Sequence, residues 1–423
     1  MKAAARANPV FQRVRQLGPR VPLDKEDKMS VSVVHLTGRA GRSGMGLSSV
    51  VWGLSRAQLS KGEHIRIWCC DKAAALECAQ EYGVPLAAIV PFPSIGPSGF
   101  CFSPPMRIAA RESRNGLEVL HQHGIWTAVS DVANVWRRKH GPTVLAPHGS
   151  LEPWALRRSP VRKSLALRMF EGRNLREAGC LHATSIAEIG DIRNFGLKTP
   201  VALIPNGVSN DWLQSTGDSE RFRKRFGVPQ GMRIVFFLSR ITPKKGLPTL
   251  VEAWATRRDR LREWCLVIAG TDECSHLSAL AAQVEAASLG KSVMFLGPLY
   301  GAEKRDAFAA CDVFALPSHS EGSPMAVLDA LGAGVPVLTT QKTPWEDLHR
   351  HQCGWWVPDD AGGVGEALDD MCRRSPEELA SWGARGRKLV STSYSWDSAA
   401  ARCASLYGWL LSPGPRPEFV FTN

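Results

Sequence analysis

The feature that most constrains this chain is a regular alternation between apolar runs of strand length and longer segments with helical periodicity. Seven such runs lie in the N-terminal half and six in the C-terminal half. They are VSVVHL, HIRIWCC, LAAIVPF, LEVLHQHG, TVLAPHG, CLHATS and VALIPNG, followed by RIVFFLS, WCLVIAG, SVMFLG, VFALPS, VPVLTT and GWWVP. This alternation predicts parallel sheets built from strand–helix units, and therefore an α/β fold.

A chain of 423 residues with 44% hydrophobic content is too long for one core. A polar stretch, 208–231, separates the two series of strands and is predicted to be a linker. We therefore predict two Rossmann-like domains whose sheets face a cleft. The predicted segments are a basic, disordered extension (1–30), an N-terminal domain (31–207), the linker (208–231), a C-terminal domain (232–395), a helix crossing back to the first domain (396–412) and a tail (413–423).

The cysteines and the first segment indicate the compartment. The eleven cysteines form no C-x-x-C pair, and Cys69, Cys70, Cys265 and Cys311 lie in or beside apolar runs. Such residues are typical of reduced core cysteines in a cytosolic protein. Segment 1–30 is basic and lacks the apolar region of a secretory signal, and no run is long enough to span a membrane. We therefore expect a cytoplasmic protein.

The first predicted strand leads into a glycine-rich loop, GRAGRSGMG, before a helix expected to start near Leu47. Its glycines are Gly38, Gly41, Gly44 and Gly46. Their spacing is not G-x-G-x-x-G, although Asp71, at the end of the second strand, would suit the ribose of a nicotinamide dinucleotide. The loop is therefore open to three interpretations: a dinucleotide site, a simple strand-to-helix turn, or a flexible loop over the cleft.

Two cations follow the first strand of the C-terminal half. Arg240 lies at the end of RIVFFLS and Lys245 lies five residues further on, in SRITPKKG. Ligands of open α/β sheets bind at the carboxyl ends of the strands, where two cations can hold a diphosphate. The alternative is a solvated basic loop.

The segment SHSEGSPMAVLDALGAGVPVLTT combines a predicted helix start with two acids, Glu321 and Asp329. Ser323 is a favoured N-cap and Pro324 a favoured first helical residue. The unpaired N–H groups of a helix start suit an anion such as a diphosphate, and the candidates are Gly322, Ser323, Pro324, Met325 and Ala326. Alternatively, Glu321 is a solvated loop acid and Asp329 a surface residue.

These segments resemble the retaining glycosyltransferases of family 4, which have the GT-B fold. The C-terminal resemblance is carried by SRITPKKGLPTLVEAWA, VIAG, FLGPLYGAEKRDAFAACDVFALPSHSEGSPMAVLDALGAGVPVLTT and TPWEDLHRHQCGWWV. The N-terminal HQHGIW, APHGSLEPWAL and IPNGV resemble the same family, particularly bacterial members that build lipopolysaccharide and exopolysaccharide. The resemblance covers 31–411.

The resemblance implies a role for each candidate residue. Glu321 would contact the donor sugar, and Asp329, which replaces the usual glutamate, would hold the ribose hydroxyls. Arg240 and Lys245 match the diphosphate-binding pair, and His123 matches a histidine near the transferred sugar. A histidine that ends a buried strand also has a structural interpretation.

The implied reaction moves a sugar from a UDP- or GDP-linked donor to a saccharide or lipid-linked saccharide, with retention of anomeric configuration. We expect no cofactor, and no metal, because the chain has no D-x-D triplet and the two cations can neutralise the diphosphate. Two other classes stay open: a nonhydrolysing sugar-nucleotide epimerase of the same architecture, and a noncatalytic basic adaptor.

The net charge of +12 is concentrated in segments 1–30 and 155–177. The second segment is predicted to be one helix, on which Leu165, Met169 and Phe170 lie among Arg158, Arg162, Lys163, Arg168 and Arg173. Such a helix suits either a solvated basic face or an anionic membrane surface, which would place the protein on the inner face of the cytoplasmic membrane. No nucleic-acid motif is present, and we expect no nucleic-acid partner.

Overall fold

A computed structural model of the protein describes residues 31–112, 118–273, 275–412 and 414–422. The predicted extension, 1–30, and Cys274 lie outside these residues. The described part of the chain forms two sheets, one from each series of predicted strands.

The first sheet contains strands from the N-terminal half and one from the C-terminus. They are β1 (Ser32–Thr37), β2 (His64–Cys69), β3 (Ile89–Pro91), β4 (Glu118–His123), β5 (Thr143–Ala146), β6 (Cys180–Ala183), β7 (Val201–Leu203) and β14 (Val420–Phe421). The second sheet contains β8 (Arg233–Leu238), β9 (Trp264–Ala269), β10 (Val293–Gly297), β11 (Val313–Leu316), β12 (Val337–Thr340) and β13 (Gly354–Val357).

Helices pack on the faces of both sheets. In the first half they are α1 (Met45–Ser60), α2 (Lys72–Tyr82), α3 (Pro104–Glu112), α4 (Val129–Lys139), α5 (Pro153–Arg157), α6 (Pro160–Ala166), α7 (Gly172–Glu177) and α8 (Ile186–Asn194). They continue as α9 (Asn210–Gln214), α10 (Ser219–Phe226), α11 (Leu247–Ala255), α12 (His276–Ala286), α13 (Gly301–Ala310), α14 (Met325–Gly332), α15 (Asp347–Arg350), α16 (Ala361–Arg373), α17 (Pro376–Ser393) and α18 (Trp396–Leu411). Three 3-10 turns, Arg42–Gly44, Leu86–Ala88 and Pro243–Lys245, and a π-helical segment, Leu167–Glu171, complete the described elements.

All thirteen predicted strands are present and parallel, which confirms the α/β fold with two Rossmann-like sheets. The prediction missed β14, which pairs antiparallel with β7 through Val420 opposite Ala202. Because β14 has only two residues and follows a proline-rich stretch, its sequence gives no strand signal. The predicted tail therefore contains the edge strand of the first sheet.

The strand orders place a switch point in each sheet. The first sheet runs β14-β7-β6-β5-β4-β1-β2-β3 and the second runs β10-β9-β8-β11-β12-β13. The order reverses between β1 and β4 in the first sheet and between β8 and β11 in the second. Ligands of such sheets bind beyond the carboxyl ends of the strands at these points. The candidate residues after β8 and β11 therefore belong to one site.

The predicted linker is structured. Segment 208–231 contains α9 and α10, whose N-caps are Ser209 and Asp218. Phe222 and Val228 are buried in the core around the second sheet. The polar composition came from helix caps and exposed helical faces, which a count of polar residues does not distinguish from a linker.

Helix α18 packs against α1 of the first half. The contact requires a glycine on α1, because a Cβ atom on Gly53 would lie 2.3 Å from Cε2 of Trp396. Within the described segments, no helix has the length and apolar character needed to cross a bilayer.

Segment 155–177 is not the single helix that we predicted. It consists of parts of α5, then α6, the π-helical segment and α7. Helix α6 begins at a proline, and the preceding residue, Ser159, has a φ of +53°. Since a residue before proline is disfavoured in the helical region, the break lies where the Ser-Pro pair occurs.

Candidate active site

A cavity of about 490 Å³ lies between the two halves of the described chain. Eleven of the twelve predicted site residues line it: Arg240, Lys245, Glu321, Gly322, Ser323, Pro324, Met325, Ala326, Asp329, Gly44 and Gly46. The exception is His123. The strand-end argument from the sequence thus brought together residues that are far apart along the chain.

Lys245 and Glu321 form an ion pair at the switch point of the second sheet. Lys245 ends a 3-10 turn after β8, and Glu321 follows β11. The turn packs tightly on the end of β11: Gly246 has a φ of +69°, and a Cβ atom there would lie 1.9 Å from the carbonyl oxygen of Pro317. This backbone contact holds the two side chains together.

The Glu321 carboxyl is ionised although the pair is buried. Burial alone would raise the pKa of the Glu321 carboxyl, but Lys245, Lys244 and the Ser318 hydroxyl outweigh burial and hold that pKa below its usual value. Ser318 Oγ donates to Glu321 Oε1 at 2.7 Å. Burial lowers the pKa of the Lys245 ammonium, and Glu321 opposes this effect. Glu321 is therefore a fixed carboxylate, held by two donors.

The helix after Glu321 starts one residue later than predicted. Pro324, with φ −70° and ψ 115°, is the N-cap of α14, and Met325 is its first residue. Ser323 is therefore not the N-cap; its carbonyl oxygen accepts from Asn206 Nδ2 at 3.4 Å instead. No side chain caps α14, so the start of the helix faces the cavity without a competing acceptor.

Arg240 lines the same cavity from the loop after β8. Its Nη1 contacts both carboxylate oxygens of Glu273, at 2.9 and 3.1 Å. The Arg240 side chain is 36% exposed, in contrast to the buried Lys245. The two cations therefore differ in environment, although the sequence treats them as a pair.

Asp329 has a partner that the sequence argument did not include. Its Oδ2 lies 2.6 Å from Nζ of Lys304, at the start of α13, and its carbonyl oxygen accepts from Trp212 Nε1 at 2.8 Å. Burial would lower the pKa of the Lys304 ammonium, but Asp329 and Tyr82 outweigh it and raise that pKa. The carboxylate of Asp329 is thus neutralised by a partly buried lysine that also lines the cavity.

Contacts across the cavity join the two halves. Glu152, just before α5, accepts from Lys244 and from Ser320 Oγ, the latter at 2.5 Å. The backbones meet at two glycines, since a Cβ atom on Gly322 would lie 3.4 Å from Cα of Gly149. These contacts place the N-terminal half directly over Glu321.

The glycine-rich loop reaches the cavity through Gly44 and Gly46. Asp71 is not among the residues that line the cavity. Its two oxygens accept from the backbone N–H groups of Ala40 and Gly41, at 2.8 and 2.7 Å. The geometry therefore contradicts the dinucleotide interpretation, since the acid that would bind the ribose fixes the loop.

His123 is buried behind the cavity wall and is separated from the cavity by His148. Its Nδ1 lies 3.1 Å from Nε2 of His148, and His148 lines the cavity. Among the described residues, the group that could supply three metal ligands is His35, His121 and His123, which lies in the same buried region.

Several lining residues were missed by the sequence argument. Pro298, Leu299 and Tyr300 follow β10, and His148 follows β5. The rule used for Arg240, that ligands bind beyond strand ends, would have found all four. Lys304 gave no such signal because it lies inside α13.

Two sequence models match consecutive parts of the chain. Glycosyltransferase Family 4 matches residues 45–212, and Glycosyl transferases group 1 matches residues 218–389. A relative from Mycobacterium tuberculosis, GDP-mannose-dependent alpha-(1-6)-phosphatidylinositol monomannoside mannosyltransferase, is 28% identical over 66% of this chain and 76% of its own length.

Solved structures share the fold. Anabaena Alr3699/HepE in complex with UDP and glucose superposes with a TM-score of 0.73 at 17% identity, over 90% of this chain and 100% of that chain. WaaG, a glycosyltransferase involved in lipopolysaccharide biosynthesis, has a TM-score of 0.66 at 17% identity, with the same coverage. The chain therefore belongs to the glycosyltransferases of group 1 and family 4, and its fold is GT-B.

Proposed function

We propose that this glycosyltransferase moves a sugar from a UDP- or GDP-linked donor to a saccharide or lipid-linked saccharide acceptor, with retention of anomeric configuration. The observation that carries the proposal is the meeting of Lys245, Glu321 and the uncapped start of α14 in one cavity. The reaction breaks the bond between the anomeric carbon and a diphosphate oxygen, so negative charge grows on the leaving group. Lys245, Arg240 and the N–H groups of α14 would stabilise that charge.

Retention is proposed to occur by attack of the acceptor on the same face that the diphosphate leaves. A covalent intermediate would need a free carboxylate next to the anomeric carbon. Glu321 is held by Lys245 and Ser318 through one oxygen, and Asp329 by Lys304. These contacts suit acids that position the sugar and the ribose, as the chemistry of near-attack geometry requires.

A nucleotide-release assay tests the reaction class. The protein is incubated with a panel of UDP- and GDP-sugars, with and without saccharide acceptors. We expect release of nucleotide diphosphate to depend on an acceptor, and activity to survive a metal chelator. Conversion of the donor sugar without an acceptor would indicate an epimerase, and the absence of any turnover or donor binding would indicate the adaptor. A donor at 100 times its Kd should stabilise the protein by about 2.7 kcal/mol.

The relatives support cell-surface polysaccharide or lipopolysaccharide synthesis as the setting. The M. tuberculosis relative is named for a phosphatidylinositol-linked acceptor, and WaaG for lipopolysaccharide biosynthesis. A lipid-linked acceptor would require the cleft to approach a membrane surface, and the N-terminal half carries a surface of suitable chemistry.

This surface, which we call the basic apolar face, is formed by α6 and the π-helical segment. Val161, Leu165 and Met169 are spaced four residues apart and are 80%, 58% and 68% exposed. Four exposed arginines accompany them and make no ion pair within the described ranges: Arg157, Arg158, Arg162 and Arg168. Exposed apolar side chains among unpaired arginines fit the interface of an anionic bilayer.

Two residues predicted for this face belong elsewhere. Phe170 is buried and lies beside Phe100, with ring centroids 6.2 Å apart. Lys163 donates to the carbonyl oxygen of Ala155 and lies 5.7 Å above the Trp126 ring. Along the chain the face follows α5, whose N-cap is Glu152, so we infer that a bilayer bound there would approach the contacts that bridge the cavity.

Liposome flotation tests this location. We expect the protein to float with anionic vesicles, to lose binding at high salt, and to lose binding in the variant Leu165→Ser/Met169→Ser. Leu86→Ser is the control, because Leu86 is 48% exposed but precedes β3, an edge strand of the first sheet, and is not part of the basic apolar face. Equal binding to neutral and anionic vesicles would contradict the proposal.

A further inference from the structure

Five histidines form a cluster at the cavity, four of them buried behind it and His148 partly exposed at its wall, and the proposed reaction leaves most of them without a role. They are His35 on β1, His121 and His123 on β4, His148 after β5 and His182 on β6. His121 and His123 are stacked, with centroids 4.3 Å apart. Their ring nitrogens are joined in two separate hydrogen-bonded chains.

The first chain runs from the surface to the cavity, and its direction is fixed. Gln58 Nε2 donates to the Glu63 carboxylate at 2.8 Å, so Gln58 Oε1 is the atom that faces His35 Nε2, at 2.7 Å. A carbonyl oxygen only accepts, so His35 carries its proton on Nε2. His35 Nδ1 must then accept from His123 Nε2, at 2.9 Å. By the same logic, His123 Nδ1 accepts from His148 Nε2 at 3.1 Å.

The argument requires neutral rings, since a doubly protonated histidine has no acceptor. Burial lowers the pKa of His35 to about 4 and that of His148 to about 3. Burial and the neighbouring histidines lower the pKa of His123 well below its usual value. At neutral pH each ring therefore has one N–H group and one bare nitrogen.

The second chain meets the first only at its far end, where the Tyr407 hydroxyl also contacts the Gln58 side chain. His182 Nε2 donates to the carbonyl oxygen of Ile204 at 2.8 Å, so His182 Nδ1 accepts from His121 Nε2 at 3.2 Å. His121 Nδ1 in turn accepts from the Tyr407 hydroxyl at 2.7 Å. This chain ends on buried backbone and does not reach the cavity, which makes it an internal control.

We propose that Gln58 and His35 are positioning residues that hold His148 as the Nε2–H tautomer, so that Nδ1 is the nitrogen of His148 that can accept a hydrogen bond in the cavity. The inference rests on the proposed function, because it assumes that a sugar occupies the cavity. The bare Nδ1 of a neutral ring accepts a hydrogen bond from a donor, and it has no hydrogen to donate to an anion. The group placed at His148 is therefore a hydroxyl of a neutral sugar and not the carboxylate of a uronic acid.

A metal is the alternative use of these rings, and the hydrogen bonds disfavour it. The candidate ligand atoms of His35, His121 and His123 lie within 4.8 Å of one another. However, a nitrogen of His35 and a nitrogen of His123 are already 2.9 Å apart as a donor and an acceptor. A metal between these two rings would need both facing nitrogens bare, whereas the direction set by Gln58 places a hydrogen on His123 Nε2.

The first experiment reads the tautomer directly in the wild-type protein. Long-range ¹H–¹⁵N correlation spectra of histidine-labelled protein at neutral pH show which ring nitrogen carries hydrogen, and His148→Gln identifies the His148 signal. We expect hydrogen on Nε2 and a bare Nδ1. Hydrogen on Nδ1, a protonated ring, or one bound metal per chain by elemental analysis would overturn the proposal.

The second experiment compares Gln58→Leu with Tyr407→Phe. Each removes one polar partner of a buried histidine, but only Gln58 accepts from His35 in the chain that ends at His148. Tyr407 contacts Gln58, and in Tyr407→Phe the Gln58 amide is still held by Glu63. We expect Gln58→Leu to give a mixture of His148 tautomers and to lower kcat about two- to tenfold, the value of one hydrogen bond, with unchanged affinity for the nucleotide diphosphate. Tyr407→Phe should keep the single tautomer. An unchanged His148 signal in a folded Gln58→Leu would contradict the proposal.

These readouts separate the inference from the proposed function. The tautomer is measured without substrate, so the result does not depend on whether the protein turns over a nucleotide sugar. If the wild-type protein shows the expected tautomer but transfers no sugar, the proposed function is wrong and the proposed hydrogen-bonded chain is still supported. If Gln58→Leu does not fold, the wild-type spectrum still decides.

Discussion

The ammonium of Lys245 contacts the carboxylate of Glu321, and each side chain is only 9% exposed. Replacing only one member of such a buried pair lowers the stability of the fold, because the remaining charge loses its partner and stays out of water. The pair is therefore both a binding element for the donor and a structural element of the cleft, and a single substitution tests both roles at once.

We predict that Lys245→Met lowers the free energy of unfolding by about 3 to 5 kcal/mol as well as abolishing most turnover, because Glu321 is left buried without its cation. The double variant Lys245→Met/Glu321→Gln should recover most of that stability and none of the activity. Chemical denaturation and the nucleotide-release assay measure the two effects. If Lys245→Met is as stable as wild type, the pair does not form in solution.

Arg240→Ala should behave differently from Lys245→Met. Arg240 is more exposed, and its partner Glu273 is also partly exposed. We therefore expect turnover to fall roughly tenfold or more, the value of a hydrogen bond to a charged group, with little change in unfolding. Glu273→Gln is the control, since it frees Arg240 without removing it. A fall in stability equal to that of Lys245→Met would show that the two cations have the same role.

Asp329 and Glu321 should affect the donor in different ways. We predict that Asp329→Ala weakens binding of the free nucleotide diphosphate by about 1.5 to 3 kcal/mol, whereas Glu321→Gln binds it nearly normally and loses turnover. Asp329→Ala also leaves Lys304 without its carboxylate. The double variant Asp329→Asn/Lys304→Met removes both charges, so no lysine is left without its carboxylate. If the double variant binds the diphosphate as wild type does, Asp329 acts only through Lys304.

The parallel sheets and most of the cavity could be predicted because both depend on local patterns. Apolar runs mark the strands, and residues such as Arg240 and Glu321 follow directly after them. The partners of those residues could not be predicted, since Lys304 and Glu152 come from other elements and meet the site only after folding. His148 was open to the strand-end rule, but the five-histidine cluster depends on the pairing of β4 with β1 and β5.

The errors in the prediction also have physical causes. The helix after Glu321 starts at Met325 and not at Pro324, because Pro324 has an extended ψ of 115°. Ser323, which precedes that proline, was therefore wrong as an N-cap. The helices of the predicted linker were missed because their caps and exposed faces are polar. The first error was decided by a backbone angle, and the second by the polar residues that cap and cover a surface helix.

The bridge across the cleft predicts a conformational effect. Glu152 accepts from both Lys244 and Ser320 of the other half. We expect Glu152→Ala to shift the protein towards an open arrangement, which small-angle X-ray scattering would detect as a larger radius of gyration, and donor binding should restore the wild-type value. Ser320→Ala removes the weaker of the two contacts and should have a smaller effect. An identical radius for all three proteins would contradict the prediction.

The last prediction concerns acid stability, which the histidine cluster should dominate. An unfolded histidine takes up a proton near pH 6.5, whereas burial lowers the pKa of His35 and of His182 to about 4 in the folded state. Between these values the unfolded state binds more protons, so stability is full above pH 6.5 and is lost as the pH falls towards 4. Each such histidine contributes about 1.4 kcal/mol per pH unit in that window.

Other groups change the free energy of unfolding with pH in the opposite direction, so the test compares variants that differ in one histidine. Burial raises the pKa of Asp191 to about 6, and a raised carboxyl adds stability as the pH falls. We therefore compare His182→Gln with His64→Gln by chemical denaturation from pH 7.5 to pH 5. His182 is buried and His64 is exposed at the start of β2. In His182→Gln the dependence of the unfolding free energy on pH should be smaller than in wild type by about 1.4 kcal/mol per pH unit, and in His64→Gln it should be unchanged. Equal slopes for the two variants would mean that His182 is protonated in the folded protein, and that the neutral, directional chain through His121 is not formed.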